Sequence, residues 1–417
     1  MCGFVYANFT VYNINIADII SRGPDEQREL FHDYGYFYNS RLVTNNNTIT
    51  CPASNNYGIL LYNGTEYQKE NDTDFIIRNL SDNINHNLEF LKTLNGDFAI
   101  CFVTENYIFL ATDSFITKPL YYGILDSNIC VASTTTPIEG VNLNPLLMEQ
   151  NTLVVFERKT AKFINKFTIN NFNLDQNEDN LDDILIAFEN SVLTRFQDNS
   201  LVNLSSGYDS GAIVACLKKY NKKFQSLIYF KNENFEILQE RIKIDKNKKH
   251  YLYKETLLEE DNNELNKNIP TDNLYLRKLA LTTAKISSKN NCRVNLTGTG
   301  GDEYYSDYGF NGKKLNKVSA FGGIFPQQLK IIFPWYTNKA YPIHNDLRSL
   351  DYYNGLYGID SRHPFLDKNL FQTWLNSKNE IKNNSYKHWI EQYLIQTKYP
   401  FAHEKIGIGY KAAINII

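Results

Sequence analysis

The chain has 417 residues, 42% of them hydrophobic and 21% charged, and its formal net charge is -3. Its length predicts two or three domains, and its composition is ordinary for a soluble globular protein. The near-neutral charge argues against nucleic acid or an anionic membrane as a partner, and no stretch approaches the roughly 18 apolar residues of a transmembrane helix.

The amino terminus and the cysteines indicate a cytoplasmic protein. The first residues lack a basic segment followed by an apolar one, so no signal peptide is expected. The six cysteines are scattered without a CxxC pair. That distribution is typical of a reducing compartment and argues against a structural zinc site.

Cys2 directly follows the initiator methionine. Once Met1 is removed, Cys2 would carry a thiol and a free α-amine on one residue, which is the nucleophile-and-base pair of an N-terminal-nucleophile hydrolase. The alternative is a cysteine that stands there by chance, and the N-terminal residues alone leave both interpretations open.

Residues 1–165 are predicted to form short strands joined by turns. The strands are β-branched or aromatic and are bounded by Asn, Asp or Gly: MCGFVYANF, YGILLYNG, GDFAICFV, YIFLATD, ICVAS and TLVVFERK. A helical pattern lies between them at DTDFIIRNLSDNI. Mixed strands and helices of this kind predict an α/β layered domain.

The polar, acidic stretch INNFNLDQNEDNLDD at 169–183 is predicted to be a linker. After it, helices and strands alternate, beginning with the helix DDILIAFENSVLTRF, the strand LVNLSS and the helix SGAIVACLKKY. This alternation predicts a doubly wound parallel sheet.

Two loops at predicted strand ends carry the residues of a nucleotide site. NLSSGYDSGAIVACL at 203–217 runs from a strand through a Ser/Gly turn into a helix, where backbone N–H groups can bind an anion. CRVNLTGTGGDEYYSDYG at 292–309 repeats the pattern with Asp302. Each alone is also compatible with a capped βα turn. Because strand-end loops of a parallel sheet meet at one edge, Asp209 and Asp302 together predict a site for ATP and a metal.

These motifs, in this order, resemble those of the asparagine synthetase family of class II glutamine amidotransferases. SSGYDS resembles the pyrophosphate loop, TGTGGDE the second ATP loop, GIDSRHPFLD the segment GVExRxPFLD, and FAHEKIGIG the segment with a catalytic lysine. In the first half, MCGF, RGPD, NSRLVT, YNGTEY, NDTD, NGDFAICF and DSFITKPLYYG match further landmarks. The resemblance covers nearly the whole chain.

The resemblance implies an N-terminal-nucleophile glutaminase domain of αββα type at 2–168, a linker at 169–183, and an ATP-pyrophosphatase synthetase domain at 184–417. In the glutaminase, Cys2 would attack the glutamine amide. The residues expected to hold glutamine and its oxyanion are Arg41, Asn63, Gly64, Thr65 and Asp72.

In the synthetase domain, the resemblance implies adenylation of a carboxylate and amidation of the product by ammonia. Mg²⁺ is expected on Asp209 and Asp302, and Lys405 is expected to be catalytic. The residues expected to contact ATP are Leu204, Ser205, Ser206, Gly207, Asp209, Ser210, Tyr229, Thr297 and Gly298. Thr299 and Asp360 are expected at the acceptor site.

Three residues depart from the family pattern. Ser206 replaces a loop glycine, Thr65 replaces a glutamate of the glutaminase site, and Thr299 replaces a glutamate that serves the acceptor. Aspartate is the default acceptor, whereas a neutral Thr299 favours another carboxylate, such as a uronic acid, a specialised metabolite or a peptide. A histidine nearby, His363, is interpreted as a packed or surface residue.

The expected partners are small molecules: L-glutamine, ATP and a carboxylic acid, with no nucleic acid and no membrane. A homodimer is left open. Alternatives of another class are a glutaminase without synthetase activity and an RNA-modifying adenylating enzyme. The second would need a basic face or paired cysteines near the loop, which the sequence lacks.

Overall fold

The computed structural model describes residues 2–11, 14–44, 50–230, 233–245, 249–254, 274–339 and 343–403. The chain forms two compact units. Unit 1 comprises Met1–Asn171 and Leu347–Asp360, and unit 2 comprises Phe172–Asp346 and Ser361–Ile417. The domain boundaries given above stay a prediction. Among the described helices, none combines the length and the apolar character needed to cross a bilayer.

In the described part of unit 1 the strands form two antiparallel six-stranded sheets. The strands are β1 Gly3–Ala7, β2 Glu26–His32, β3 Gly35–Arg41, β4 Ala53–Ser54, β5 Gly58–Glu66, β6 Gly96–Thr104, β7 Tyr107–Thr112, β8 Tyr121–Leu125, β9 Asn128–Ala132, β10 Leu146–Leu147, β11 Thr152–Glu157 and β12 Phe163–Thr168. The first sheet has the order β10-β8-β9-β1-β3-β2, and the second has the order β12-β11-β7-β6-β5-β4.

The helices of the first half are α1 Ala17–Arg22, α2 Asp72–Asn79, α3 Ile84–Thr93 and α4 Thr136–Gly140. Alternation along β1 shows the layers: Phe4 and Tyr6 join a core with residues of both sheets, α2 and α3. Val5 and Ala7 join a second core with Ile19 of α1 and Ile138 of α4. Since successive strand residues face opposite sides, β1 lies between the second sheet and these helices. The predicted αββα architecture is confirmed.

Unit 2 is built around a five-stranded sheet of order β15-β14-β13-β16-β19. Its strands are β13 Ser200–Leu204, β14 Phe224–Phe230, β15 His250–Lys254, β16 Val294–Leu296 and β19 Asp360–Arg362, whose last two residues belong to unit 2. A small hairpin pairs β17 Gly309–Phe310 with β18 Lys313–Lys314. The β13–β14, β14–β15 and β13–β16 pairs are parallel. The predicted parallel sheet is therefore confirmed.

The helices of the second half alternate with these strands. They are α5 Leu181–Arg195, α6 Tyr208–Lys219, α7 Phe235–Ile244, α8 Leu274–Lys289, α9 Gly301–Tyr305, α10 Tyr336–Lys339, α11 Ile343–Leu356, α12 Lys368–Asn376, α13 Asn379–Asn383 and α14 His388–Gln396, with a 3-10 turn at Leu329–Ile331. Helix α6 follows β13 after three residues, with Asp209 in its first turn and Lys218 in its last turn. An acidic residue near the N-terminus and a basic residue near the C-terminus interact favourably with the helix dipole.

Candidate functional site

Cys2 lies at the entrance to β1, and Asn63 lies in β5 of the other sheet. The backbone nitrogen of Cys2 donates to Asn63 Oδ1 at 2.9 Å. Asn63 is fully buried, and its Nδ2 has no hydrogen-bond partner among the described residues. A buried amide donor beside a thiol is suited to stabilise an oxyanion, because an unused donor is costly unless a ligand accepts from it.

Gly64 follows Asn63 with φ +156, and a Cβ there would come within 2.1 Å of the Asp97 carbonyl oxygen. Only glycine fits this position. Thr65 is half-buried, and the next residue, Glu66, is buried and accepts from the backbone nitrogen of Asn95 at 2.7 Å. The close approach of Gly64 to Asp97 on the neighbouring strand β6 therefore fixes the backbone conformation that follows Asn63.

Asp72, at the start of α2, is also buried. Its Oδ2 accepts from the backbone nitrogen of Glu66 at 3.2 Å and from the hydroxyl of Tyr62 at 3.4 Å. These contacts join Asp72 to β5, the strand that carries Asn63. Its expected pairing with the glutamine α-ammonium stays a prediction.

Arg41 ends β3, and its side chain is partly buried. Its Nη1 contacts Glu26 Oε2 at 3.2 Å and Thr50 Oγ1 at 2.7 Å. The guanidinium thus already binds a carboxylate of the protein, which is the ligand type that it is expected to bind in glutamine.

Arg22 is a second residue that fixes Cys2, and the sequence marked it only as part of the RGPD landmark. It is almost fully buried, and its Nε donates to the Cys2 carbonyl oxygen at 3.2 Å. Its Nη2 pairs with Asp351 at 2.9 Å, inside unit 1. Residue 351 is far away in the sequence, so no local motif predicts this support.

In unit 2, the loop Ser205–Gly207 joins β13 to α6. Ser205 N donates to Ser210 Oγ at 3.0 Å, and Gly207 N donates to Ser205 Oγ at 3.2 Å. Ser206, which replaces the family glycine, is not among the residues with positive φ. A serine is therefore compatible with the backbone at this position.

The second glycine-rich loop packs directly against Asp209. A Cβ on Gly298 would come within 2.9 Å of Asp209 Cβ, and a Cβ on Gly301 would come within 2.5 Å of Asp209 Oδ1. Gly300 has φ +97 at the start of α9, a conformation that favours glycine. The two loops meet at the edge of the sheet because they follow the neighbouring strands β13 and β16.

Lys387 binds both of the carboxylates that were expected to hold the metal. Its Nζ lies 2.7 and 2.6 Å from the two oxygens of Asp209 and 2.8 Å from Asp302 Oδ1. Burial alone would lower the pKa of Lys387, but the charges and hydrogen bonds of the two carboxylates outweigh it and raise the pKa above its ordinary value. Lys387 therefore stays protonated, and its charge is compensated by the two carboxylates.

Lys387 also has φ 52, in the left-handed region, immediately before α14. A lysine in this conformation is uncommon and is retained where surrounding contacts fix it. Tyr386 supports the same cluster, since its hydroxyl donates to Asp302. Lys387 could not be recognised from the sequence, because SYKHW resembles no motif and the positive φ of the lysine is not visible there.

The expected acceptor residues lie in different surroundings. Thr299 is hydrogen-bonded at 3.0 Å to Thr297, whose hydroxyl also contacts His363 Nδ1 at 2.7 Å. His363 is fully buried, so the interpretation as a packed residue fits and that as a surface residue does not. Asp360 belongs to unit 1 and pairs there with the buried Lys118 at 2.8 Å.

The remaining predicted residues are placed as follows. Leu204 ends β13, Tyr229 lies in β14, and both are buried. Lys405 lies outside the described residues, so its role stays a prediction.

Asp209 and Asp302 are the two loop carboxylates that could take part in holding Mg²⁺, and binding of ATP and Mg²⁺ stays a prediction. No cluster of three or more His, Cys, Asp or Glu side chains in the described ranges is arranged to hold a metal. Mg²⁺ needs only one or two carboxylates when phosphates and water complete its shell. Asp209 and Asp302 already share one cation, the ammonium of Lys387.

Among the comparisons with known proteins, the match to a family model lies in the first half of the chain. Residues 55–139 match the model of a glutamine amidotransferase domain. This range includes Asn63, Gly64, Thr65 and Asp72 but not Cys2. This part of the chain is therefore similar to a glutamine amidotransferase domain.

Over 347 residues the chain is 23% identical to a Methanocaldococcus jannaschii protein named "Putative asparagine synthetase (glutamine-hydrolyzing) 1". The similarity covers 76% of this chain and 61% of the length of that relative. Together with the domain match, it confirms the predicted resemblance to the asparagine synthetase family.

Two solved structures are similar at a low level. The glutamine phosphoribosylpyrophosphate amidotransferase from B. subtilis, in complex with ADP and GMP, is 13% identical with a TM-score of 0.32, covering 54% of this chain and 65% of that chain. The allosteric regulatory enzyme of purine biosynthesis is 11% identical with a TM-score of 0.30, covering 61% and 74%. TM-scores of this size do not establish a common fold.

Proposed function

We propose that the protein is a glutamine-hydrolysing, ATP-dependent amidotransferase that converts a carboxylate into an amide, with L-aspartate as the default acceptor and L-asparagine as the product. The observation that carries the proposal is Lys387, whose ammonium is shared by Asp209 and Asp302 beside the Ser205–Gly207 loop. Paired carboxylates, a buried cation and an anion-binding loop are the parts that a pyrophosphate-releasing site requires.

In the first half-reaction, the Cys2 thiol attacks the side-chain amide carbon of glutamine. Its proton passes to the leaving nitrogen, so that ammonia departs and a thioester remains, which water then hydrolyses to glutamate. The free Nδ2 of Asn63 would donate to the oxyanion of both tetrahedral intermediates. Arg22 would keep Cys2 in place through its carbonyl oxygen.

In the second half-reaction, an acceptor carboxylate oxygen attacks the α-phosphorus of ATP, and pyrophosphate leaves. Ammonia then displaces AMP from the mixed anhydride. Asp209 and Asp302 would hold Mg²⁺ after it displaces the Lys387 ammonium from them, and the ion would supply charge neutralisation on the phosphates. The N–H of Ser206 would bind a phosphate oxygen, since the N–H groups of Ser205 and Gly207 already donate to the hydroxyls of Ser210 and Ser205. The ammonium of Lys387 would lie close by.

A second candidate for the acceptor is a carboxylic acid other than aspartate. Thr299 presents a neutral hydroxyl that is bonded to Thr297, at a position where a carboxylate is expected for aspartate. A uronic acid, a specialised metabolite or a peptide carboxylate would enter by the same adenylation chemistry.

The test is to measure glutamate and AMP release separately in the wild type and two variants. Cys2→Ala should abolish glutamate release from glutamine but keep AMP release with ammonium salts. Asp209→Asn should abolish AMP release but keep glutamate release from glutamine. Glutamate without AMP for every acid supplied would leave only a glutaminase, and the absence of both products would refute the proposal.

A further inference from the structure

The Ser205–Gly207 loop is held from one side by a buried guanidinium. Arg241 of α7 is fully buried, and its Nη1 donates to the carbonyl oxygens of Ser205 and, at 3.0 Å, of Gly207. Its Nε donates to the Pro400 carbonyl oxygen at 2.9 Å. Arg241 therefore fixes the direction of two loop carbonyls.

The approach of Arg241 depends on a glycine in α6. A Cβ on Gly211 would come within 2.4 Å of Arg241 Nη2. On its other side the guanidinium lies over the Tyr399 ring, 5.1 Å from the centroid. Because a peptide N–H points opposite to its carbonyl, holding the Ser205 carbonyl directs the N–H of Ser206 away from Arg241.

The backbone N–H of Ser206 already donates to an anionic side chain. Ser206 N donates to Glu233 Oε2 at 2.6 Å, and the Ser206 hydroxyl donates to the same oxygen. The hydroxyl oxygen also accepts from Asn234 N at 3.0 Å. Glu233 follows β14, and Asn234 caps α7, so the serine joins the loop to the segment that leads to Arg241.

The Glu233 carboxylate is poorly compensated for a buried charge. Glu233 is only 9% exposed, and its Oε1 has no hydrogen-bond partner among the described residues. Burial raises the pKa of Glu233, although its hydrogen bonds from Ser206 and the charge of Arg241 oppose this shift. A carboxylate that accepts hydrogen bonds through one oxygen only loses few hydrogen bonds when a more highly charged anion replaces it, so the free-energy cost of the exchange is moderate.

We propose that Glu233 is an internal competitor for the nucleotide: its carboxylate occupies the N–H of Ser206 in the free protein and leaves when a phosphate group binds there. The inference rests on the proposed function, because it places ATP at this loop. A phosphate carries more charge than a carboxylate, and the two repel each other at one donor. Arg241 stays in place during the exchange and keeps the N–H directed to the incoming anion.

The experiment measures the dissociation constants of Mg-ATP and of inorganic pyrophosphate for the full chain by calorimetry. Glu233→Gln keeps the shape and loses the charge, and it should bind both ligands about fivefold or more tightly than the wild type. Ser206→Gly keeps the N–H and removes the hydroxyl that holds Glu233, so it should shift affinity in the same direction.

Glu236→Gln is the matched control, since it removes one charge from an exposed position in the first turn of α7. It should change the affinity by less than about twofold. If the wild type binds ATP and both Glu233→Gln and Ser206→Gly bind it equally or more weakly, Glu233 is a structural support and the competitor role is wrong. If no form binds ATP, the proposed function itself fails.

Discussion

Replacement of Lys387 by methionine removes the ammonium shared by Asp209 and Asp302 while it keeps most of the aliphatic chain. The lysine side chain is 2% exposed, and the two aspartates are 19% and 21% exposed. At contacts of 2.6 and 2.8 Å and an effective dielectric constant near 20, each pair gains roughly 6 kcal/mol before desolvation is subtracted.

Most of that gain is offset by the cost of removing the charges from water. Deleting one partner of a buried pair typically costs about 3–5 kcal/mol, because the other charge is left uncompensated. The aspartates are partly hydrated, so we expect a loss near the lower end, about 3 kcal/mol of the free energy of unfolding of unit 2.

Urea unfolding followed by tryptophan fluorescence measures this loss in the relevant unit. The chain has three tryptophans, Trp335, Trp374 and Trp389, and all belong to unit 2. The control is Lys378→Met, which breaks the exposed pair with Asp179 and should cost less than about 1 kcal/mol.

Two further readouts belong to the same variant. Millimolar Mg²⁺ should stabilise Lys387→Met more than the wild type, because a divalent cation can bind the two carboxylates that the lysine leaves. Glutamate release from glutamine should be unchanged, whereas AMP release should fall. If Lys387→Met loses no more stability than Lys378→Met, the buried cluster does not exist as described.

Three other substitutions test separate parts of the account. Asn63→Ala should lower the turnover number for glutamine hydrolysis about 100-fold with little change in KM, since an oxyanion donor is lost; steady-state kinetics showing less than a threefold change would contradict this. Gly301→Ala should displace the Asp209 carboxylate and lower AMP release at least tenfold while glutamate release persists, and an unaltered AMP rate would refute the contact. Burial and the neighbouring Asp302 raise the pKa of Glu303 from its ordinary value of 4.5 to about 7, so between these pH values the folded state keeps a proton that the unfolded state has released. The free energy of unfolding should therefore fall by about 3 kcal/mol as the pH rises through this window, and Glu303→Gln, measured at pH 5 and pH 8, should lack that fall; an equal fall in the variant would show that Glu303 is not its source.

The layered architecture could be predicted because it depends on local patterns. The apolar run of β1, the glycine at 64 and the strand–turn–helix at Ser205–Gly207 are all visible in the printed sequence. Each follows from local residue type: short apolar runs bounded by turn residues form strands, and glycine permits the close backbone approach and the turn.

The supports of the two sites could not be predicted in the same way. Lys387 meets Asp209 across 178 residues, and Arg22 meets Asp351 across 329 residues. Lysines and arginines are mostly exposed, so their burial follows from tertiary packing and not from the neighbouring residues. Residues 347–360 likewise belong to unit 1 through contacts that no local pattern reveals.

The ATP–pyrophosphate exchange reaction tests the central claim most directly. The full chain is incubated with ATP, Mg²⁺, labelled pyrophosphate and one carboxylic acid at a time, starting with L-aspartate. A carboxylate-adenylating enzyme should incorporate label into ATP only when the right acid is present, and Asp209→Asn should abolish the incorporation. Release of ADP and phosphate in place of AMP and pyrophosphate would contradict a carboxylate-adenylating enzyme. Exchange that does not depend on any of the added acids would contradict it as well.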